Sequence, residues 1–173
     1  KIGWQPQPLP QKPAEFLLPP DVVCDRLASL FTQHIQQPDF VAYQSLQPEL
    51  NTLALAYIQQ VLRALDRATE GSIPQHTQLF NRCLQLTSAL DESTILDPKQ
   101  IYQTLSQKAQ ISTELALIKR CGENLAAVLK GKVDPLGLLF PEGDLSDLTK
   151  LYQSSIGPQV MNQLVQEAVV TTA

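Results

Sequence analysis

Between Leu50 and Leu65 the chain places Leu50, Leu53, Ala54, Tyr57, Ile58, Val61, Leu62 and Leu65 at i, i+3, i+4 and i+7 spacing. That stripe lies along one side of an α-helix for about four turns, and it has to be buried against something. Nowhere does an apolar–polar alternation run longer than a few residues, so no sheet face is available to receive it. The partners must be other helices. Matching stripes occur at Val23, Leu27, Leu30, Phe31 and Ile35, and at Leu79, Phe80, Cys83, Leu84, Thr87 and Leu90. Two more lie at Ile111, Leu115, Ile118, Leu125 and Leu129, interrupted by Gly122, and at Val160, Leu164, Val165, Ala168 and Val169. The expected fold is all-α, an irregular multi-helix bundle. At 173 residues with 43% apolar and 17% charged side chains, the chain is long enough for one domain with a real core.

Helix boundaries are marked by short-range signals. Asp21 is expected to cap the first helix and Pro48 to sit in the first turn of the second. "EGSIP" at residues 70–74 breaks the chain, and Asp97-Pro98 starts a short helix. Gly131 can end the helix before it. Asp134-Pro135 then caps a brief turn expected to point Leu136, Leu138, Leu139 and Phe140 inward. Pro141 halts that turn, Gly143 permits a reversal, and Asp144 caps the next helix with Asp147 supporting its dipole. The last helix follows Gly157-Pro158. The expected organisation is an extended proline-rich linker at 1–20 anchored by Trp4 and Phe16, a helical body at 21–130, and an elbow with two C-terminal helices at 131–173.

Several function classes are excluded by what the residues lack. A net charge of −4 with no lysine or arginine cluster argues against a nucleic-acid face. No stretch approaches the roughly twenty apolar residues of a bilayer-spanning helix. Cys24, Cys83 and Cys121 are far apart and lie in apolar patterns, as expected of small buried hydrophobes in a reducing cytoplasm. His34 and His76 have no metal-ligand spacing around them. The acidic pairs Asp91-Glu92 and Glu142/Asp144 fall where helix ends are expected. The glycines form neither a dinucleotide fingerprint nor a phosphate loop. No catalytic residue and no metal site is expected in the chain. Its opening at Lys1, without a methionine, suggests a piece of something longer.

Leu125 to Val169, "LAAVLKGKVDPLGLLFPEGDLSDLTKLYQSSIGPQVMNQLVQEAV", resembles the segment leading into the methyltransferase domains of modular polyketide synthases. The likeness rests on Gly131, Asp134, Pro135, Leu136, Leu138, Leu139, Phe140, Pro141 and Gly143, then Leu151 and Tyr152, then Asn162, Val165, Glu167, Ala168 and Val169. Upstream, "YQSLQPELNTLALAYIQQVLRAL" and "IPQHTQLFNRCLQL" are similar to helices of the same family, as is the opening "GWQPQPLP" to its leading linker. Residues 92–112 resemble it least, and Ser154-Ser155-Ile156 departs from an acidic-Ser-Pro step.

The resemblance implies a helical lid over a Rossmann-like core that binds S-adenosylmethionine, with the donor loop following the "EAV" helix. It implies methyl transfer to the α-carbon of a β-ketoacyl chain held on an acyl carrier protein through phosphopantetheine. The implied partners are the downstream core, that carrier protein and neighbouring synthase domains, with no nucleic acid and no membrane. Tyr152 is the implied cofactor contact, and Ser155 and Asn162 are the implied substrate contacts. The alternative is a helical scaffold or docking module without catalytic function, or the remnant of an inactive or oxygen-methylating enzyme.

Overall fold

A computed structural model of the chain describes residues 18–66, 76–90 and 95–172. The N-terminal linker up to residue 17, the "EGSIP" break and the Asp91-Glu92 pair lie outside the described residues. Among the described residues all regular structure is helical, in the order α1 (Pro20–Ile35), α2 (Pro38–Asp66), α3 (Thr77–Thr87), α4 (Pro98–Leu105), α5 (Ser112–Leu129), α6 (Pro135–Leu139), α7 (Ser146–Ser154) and α8 (Ile156–Thr172). Short 3-10 turns at Ala109–Ile111 and Pro141–Gly143 join α4 to α5 and α6 to α7. No helix of the described residues is long and apolar enough to cross a membrane. The chain divides into two compact units, one of Gln37–Gln159 and one of Lys1–Gln36 with Val160–Ala173.

The larger unit is built on α2, which packs against α3, α4 and α5. Its stripe is the expected one, extended upstream: Leu46, Leu50, Leu53 and Tyr57 form one cluster with Leu105, Ile111 and Leu115. Each such aliphatic side chain stabilises the fold by about 1.5–3 kcal/mol when fully buried. That sum explains why α2 begins ten residues before the expected start and carries Pro48 in its interior. An interior proline costs about 3 kcal/mol, largely because it lacks the N–H that its turn needs. Here both Pro48 and Gln44, whose carbonyl loses that donor, are exposed to water, and the burial on either side outweighs the loss.

The α5 terminus follows its sequence signal closely. Gly131 takes φ +66°, its N–H donates to Val128 O, and Lys132 N–H donates to Ala127 O. This is the paired-bond helix ending that a left-handed glycine allows. Asp97 accepts from Lys99 N–H ahead of α4, and Asp134 accepts from Leu136 N–H ahead of α6. Ahead of α7, Asp144 accepts from both the N–H and the hydroxyl of Ser146, and those bonds hold its carboxyl below the usual carboxylate range.

Other expectations are corrected. Asp21 is not the cap of α1; Pro19 holds that position, and no side chain caps it. Leu136 is 61% exposed, because the five-residue α6 has only one inward side and Leu138, Leu139 and Phe140 occupy it. On α3, Cys83 is buried while Leu79 and Leu84 stay exposed, and Leu90 falls beyond the helix end. Cys24 is exposed on α1, whose short helix pair offers too little cover, whereas Cys83 is buried and Cys121 half-buried.

The smaller unit pairs α1 with the part of α8 from Val160 onward. Arg26 and Glu167 meet across it at 2.5 Å. None of the residues of α1 is buried.

Candidate functional site

The elbow is a set of local bonds tied back to α5. Arg120 on α5 donates to Leu138 O at the end of α6 and pairs with Asp147 on α7. Asp147 stands in the first turn of α7, where its charge suits the dipole as expected, and its carboxylate is also held by this guanidinium. Asn124, one turn along α5, donates to Arg120 O at 2.8 Å. Between α6 and α7, Glu142 and Gly143 both take positive φ, +53° and +79°. Glycine adopts that region freely, whereas a glutamate there carries strain of order 1 kcal/mol. The reversal is thus fixed by one arginine reaching two elements.

The joint that follows carries two of the residues put forward by the sequence. Tyr152 lies in the last turn of α7 and is 60% exposed. Ser155, in extended backbone between α7 and α8, is only 5% exposed. Its N–H donates to Leu151 O, and its carbonyl accepts from Gln159 N–H at 3.0 Å, closing one helix and opening the next. The third, Asn162, is exposed on α8 and belongs to the smaller unit.

Three further residues, unmarked in the sequence reading, gather beside this joint. Tyr43 packs against the first turn of α8 so closely that a Cβ on Gly157 would stand 2.9 Å from the ring edge and 2.9 Å from the hydroxyl. Only glycine fits there. Gln47, one turn along α2, and Glu114, in the first turn of α5, complete the cluster. Gln47 Nε2 and both carboxylate oxygens of Glu114 are buried and make no hydrogen bond of normal length and direction. They still act on the Tyr43 hydroxyl electrostatically. Burial, and then the negative charge of Glu114, push its ionisation above the ordinary tyrosine value, against a smaller opposing effect of Gln47. The hydroxyl therefore stays protonated at neutral pH, a donor and not a base. The signal that could have found this cluster is the extension of the α2 stripe upstream of Pro48, at Tyr43 and Leu46.

Replacing Gly157 by alanine is expected to destabilise the chain by about 1–2 kcal/mol, because the added methyl overpacks the Tyr43 edge. In a Tyr43→Phe background, which removes the crowded hydroxyl, the loss should shrink. Urea denaturation of the four variants checks this, and equal losses in both backgrounds would contradict the contact.

A separate groove of about 230 Å³ lies between α2, α3 and α5, lined by Tyr57, Ile58, Leu79, Cys83, Ile118 and Leu125 among others. Burial raises the pKa of both Cys83 and Cys121, which disfavours the thiolate, so these thiols are poor nucleophiles. Among the described residues, no group of histidine, cysteine, aspartate or glutamate is arranged to hold a metal ion. What the larger unit offers is a shaped surface with a few polar groups.

No protein-family model matches the chain. No curated protein matches it either. Solved structures do. The crystal structure of the CurJ carbon methyltransferase superposes with a TM-score of 0.74 and 29% sequence identity, over 90% of this chain and 49% of that one. The DszA carbon methyltransferase superposes with a TM-score of 0.58 and 17% identity, over 91% of this chain and 44% of that one, which speaks to the fold alone. The chain therefore spans about half the length of the structures it matches, and over nine-tenths of its own length it is similar to these two carbon methyltransferases.

Proposed function

We propose that the chain is the substrate-covering lid of a polyketide synthase methyltransferase. The whole enzyme transfers a methyl group from S-adenosylmethionine to the α-carbon of a β-ketoacyl chain held on an acyl carrier protein. The observation that carries the reading is the match to the CurJ carbon methyltransferase over 90% of the chain. The elbow and C-terminal motifs, Asp134-Pro135 through Glu167-Ala168, support it independently through their resemblance to that segment of modular synthases.

S-adenosylmethionine supplies an electrophilic methyl group on a sulfonium. Binding it takes a strand-to-helix turn whose backbone amides approach the ligand closely. All regular structure among the described residues is helical, with no strand to lead into such a cradle, so these residues do not fit the cofactor. We assign the cofactor, and the base that takes the α-proton, to a core that follows α8. The lid then supplies alignment and exclusion of water, which methyl transfer needs more than acid–base groups. Tyr152 and Asn162 keep exposed surface for contacts on the cofactor and substrate sides. Ser155, buried at the joint, positions those contacts.

The test is to express the chain joined to the region that follows it in the parent reading frame. The joined protein is expected to bind S-adenosylmethionine and to add one methyl group to a β-ketoacyl thioester, read by mass spectrometry. A joined protein that is folded, yet neither binds the cofactor nor methylates, would favour a helical scaffold between synthase domains.

A further inference from the structure

The sequence of α8 is unusual for a helix in water. Of its seventeen residues, only Glu167 is charged. That carboxylate is committed to Arg26 of α1, and α1 accordingly lies on the Glu167 side of α8. On the other side Met161, Val165 and Val169 follow one another on successive turns, and they are 58%, 62% and 61% exposed. The expected inward face of α8 had included Val165 and Val169; only Val160 of that set is buried, and Leu164 and Ala168 are half-covered. A continuous apolar stripe without flanking charge is not a solvated surface. Asn162 stands three residues before Val165 and seven before Val169, on this same side of the helix.

From this we infer that the Met161–Val165–Val169 face of α8 is a docking surface, and that its occupant is an apolar face of a folded core continuing the same polypeptide. The inference rests on the lid reading above and names the side of α8 that meets the core. The occupant is argued from length: the CurJ structure with the same fold contains about as much chain again, since this chain covers 49% of it. A two-helix unit in which none of the α1 residues is buried also needs a further layer to close it.

The experiment compares amide hydrogen exchange in the 173-residue chain and in the chain joined to its following region. Exchange along α8 from Met161 to Val170 is expected to slow by about tenfold or more in the joined protein, with the amides of α2 and α5 unchanged. Val165→Asp with Val169→Asp should abolish that slowing. The milder pair Val165→Ala and Val169→Ala, which keeps the helix, should reduce it. Equal exchange along α8 in both proteins overturns the inference, as does a slowing that both pairs of substitutions leave intact. Concentration-dependent dimerisation of the chain that protects α8 equally well overturns it in favour of a second copy. Protection without methyl transfer would leave the docking surface standing and the catalytic reading defeated; methyl transfer without protection would do the reverse.

Discussion

Gly122→Ala should cost the fold about 2 kcal/mol or more. In most helix interiors the same change is favourable by about 1 kcal/mol, because alanine loses less backbone freedom on folding. Here the Tyr57 ring lies flat against the α5 backbone, and a Cβ at position 122 would meet ring atoms Cγ, Cδ1 and Cδ2 inside contact distance. Tyr57 is itself packed in the cluster with Leu50, Leu53 and Leu115, so moving its ring aside disturbs that packing. Overpacking of this kind typically costs 1–3 kcal/mol and occasionally more, and a clash with a ring body, not a flexible tip, belongs at the high end. The midpoint of urea denaturation should therefore fall at unchanged slope. The control is Tyr57→Leu, which removes the ring. In that background Gly122→Ala should be neutral or stabilising, so the sign of the effect reverses. A neutral Gly122→Ala in the presence of Tyr57 would mean that α2 and α5 do not approach as described.

Gly122 also shows what the sequence makes legible. As a glycine inside an apolar helical stripe it marks itself as unusual, but nothing local says that the reason is a tyrosine sixty-five residues upstream. The same division runs through the rest of the chain. Asp97, Gly131 and Asp134 act on backbone groups within a few residues, and the structure uses each as a helix boundary in the expected manner. Pro48 is also local, but its effect was decided by burial at Leu46 and Leu53 on either side, which a boundary rule does not weigh. Stripes identify an apolar side without saying how much of it a neighbour will cover. Val160 and Val165 fit one stripe equally well, yet one is buried and the other bare. The cluster of Tyr43, Gln47 and Glu114 lay further from reach, since it exists only where α2 and the first turn of α5 come together beside the joint. Of the residues marked through family resemblance, the elbow motif proved to be a compact structural device. Tyr152, Ser155 and Asn162 remain assignments for the joined enzyme to test.

In that joined enzyme, Arg120→Ala should lower the rate of methyl transfer about a hundredfold while costing only about 1 kcal/mol of stability. Arg120 and Asp147 are each roughly a third exposed, so water screens their attraction and the pair contributes little to folding. Its importance is geometric. One guanidinium holds Leu138 O and the Asp147 carboxylate, and so sets the direction in which α7 leaves the reversal at Glu142-Gly143. Tyr152 and the Ser155 joint lie at the far end of that short helix, where a small change of angle becomes a displacement of an ångström or more. Misplacement on that scale is enough to spoil the alignment that methyl transfer depends on. Arg120→Lys should fall between, because an ammonium can satisfy one partner but does not present the fork that reaches both. The loss should appear in kcat, with binding of S-adenosylmethionine little changed, if the cofactor is held mainly by the core as proposed. If Arg120→Ala instead lowers stability and activity in parallel, the arginine is only a brace for the fold, and the elbow does not set the geometry of transfer.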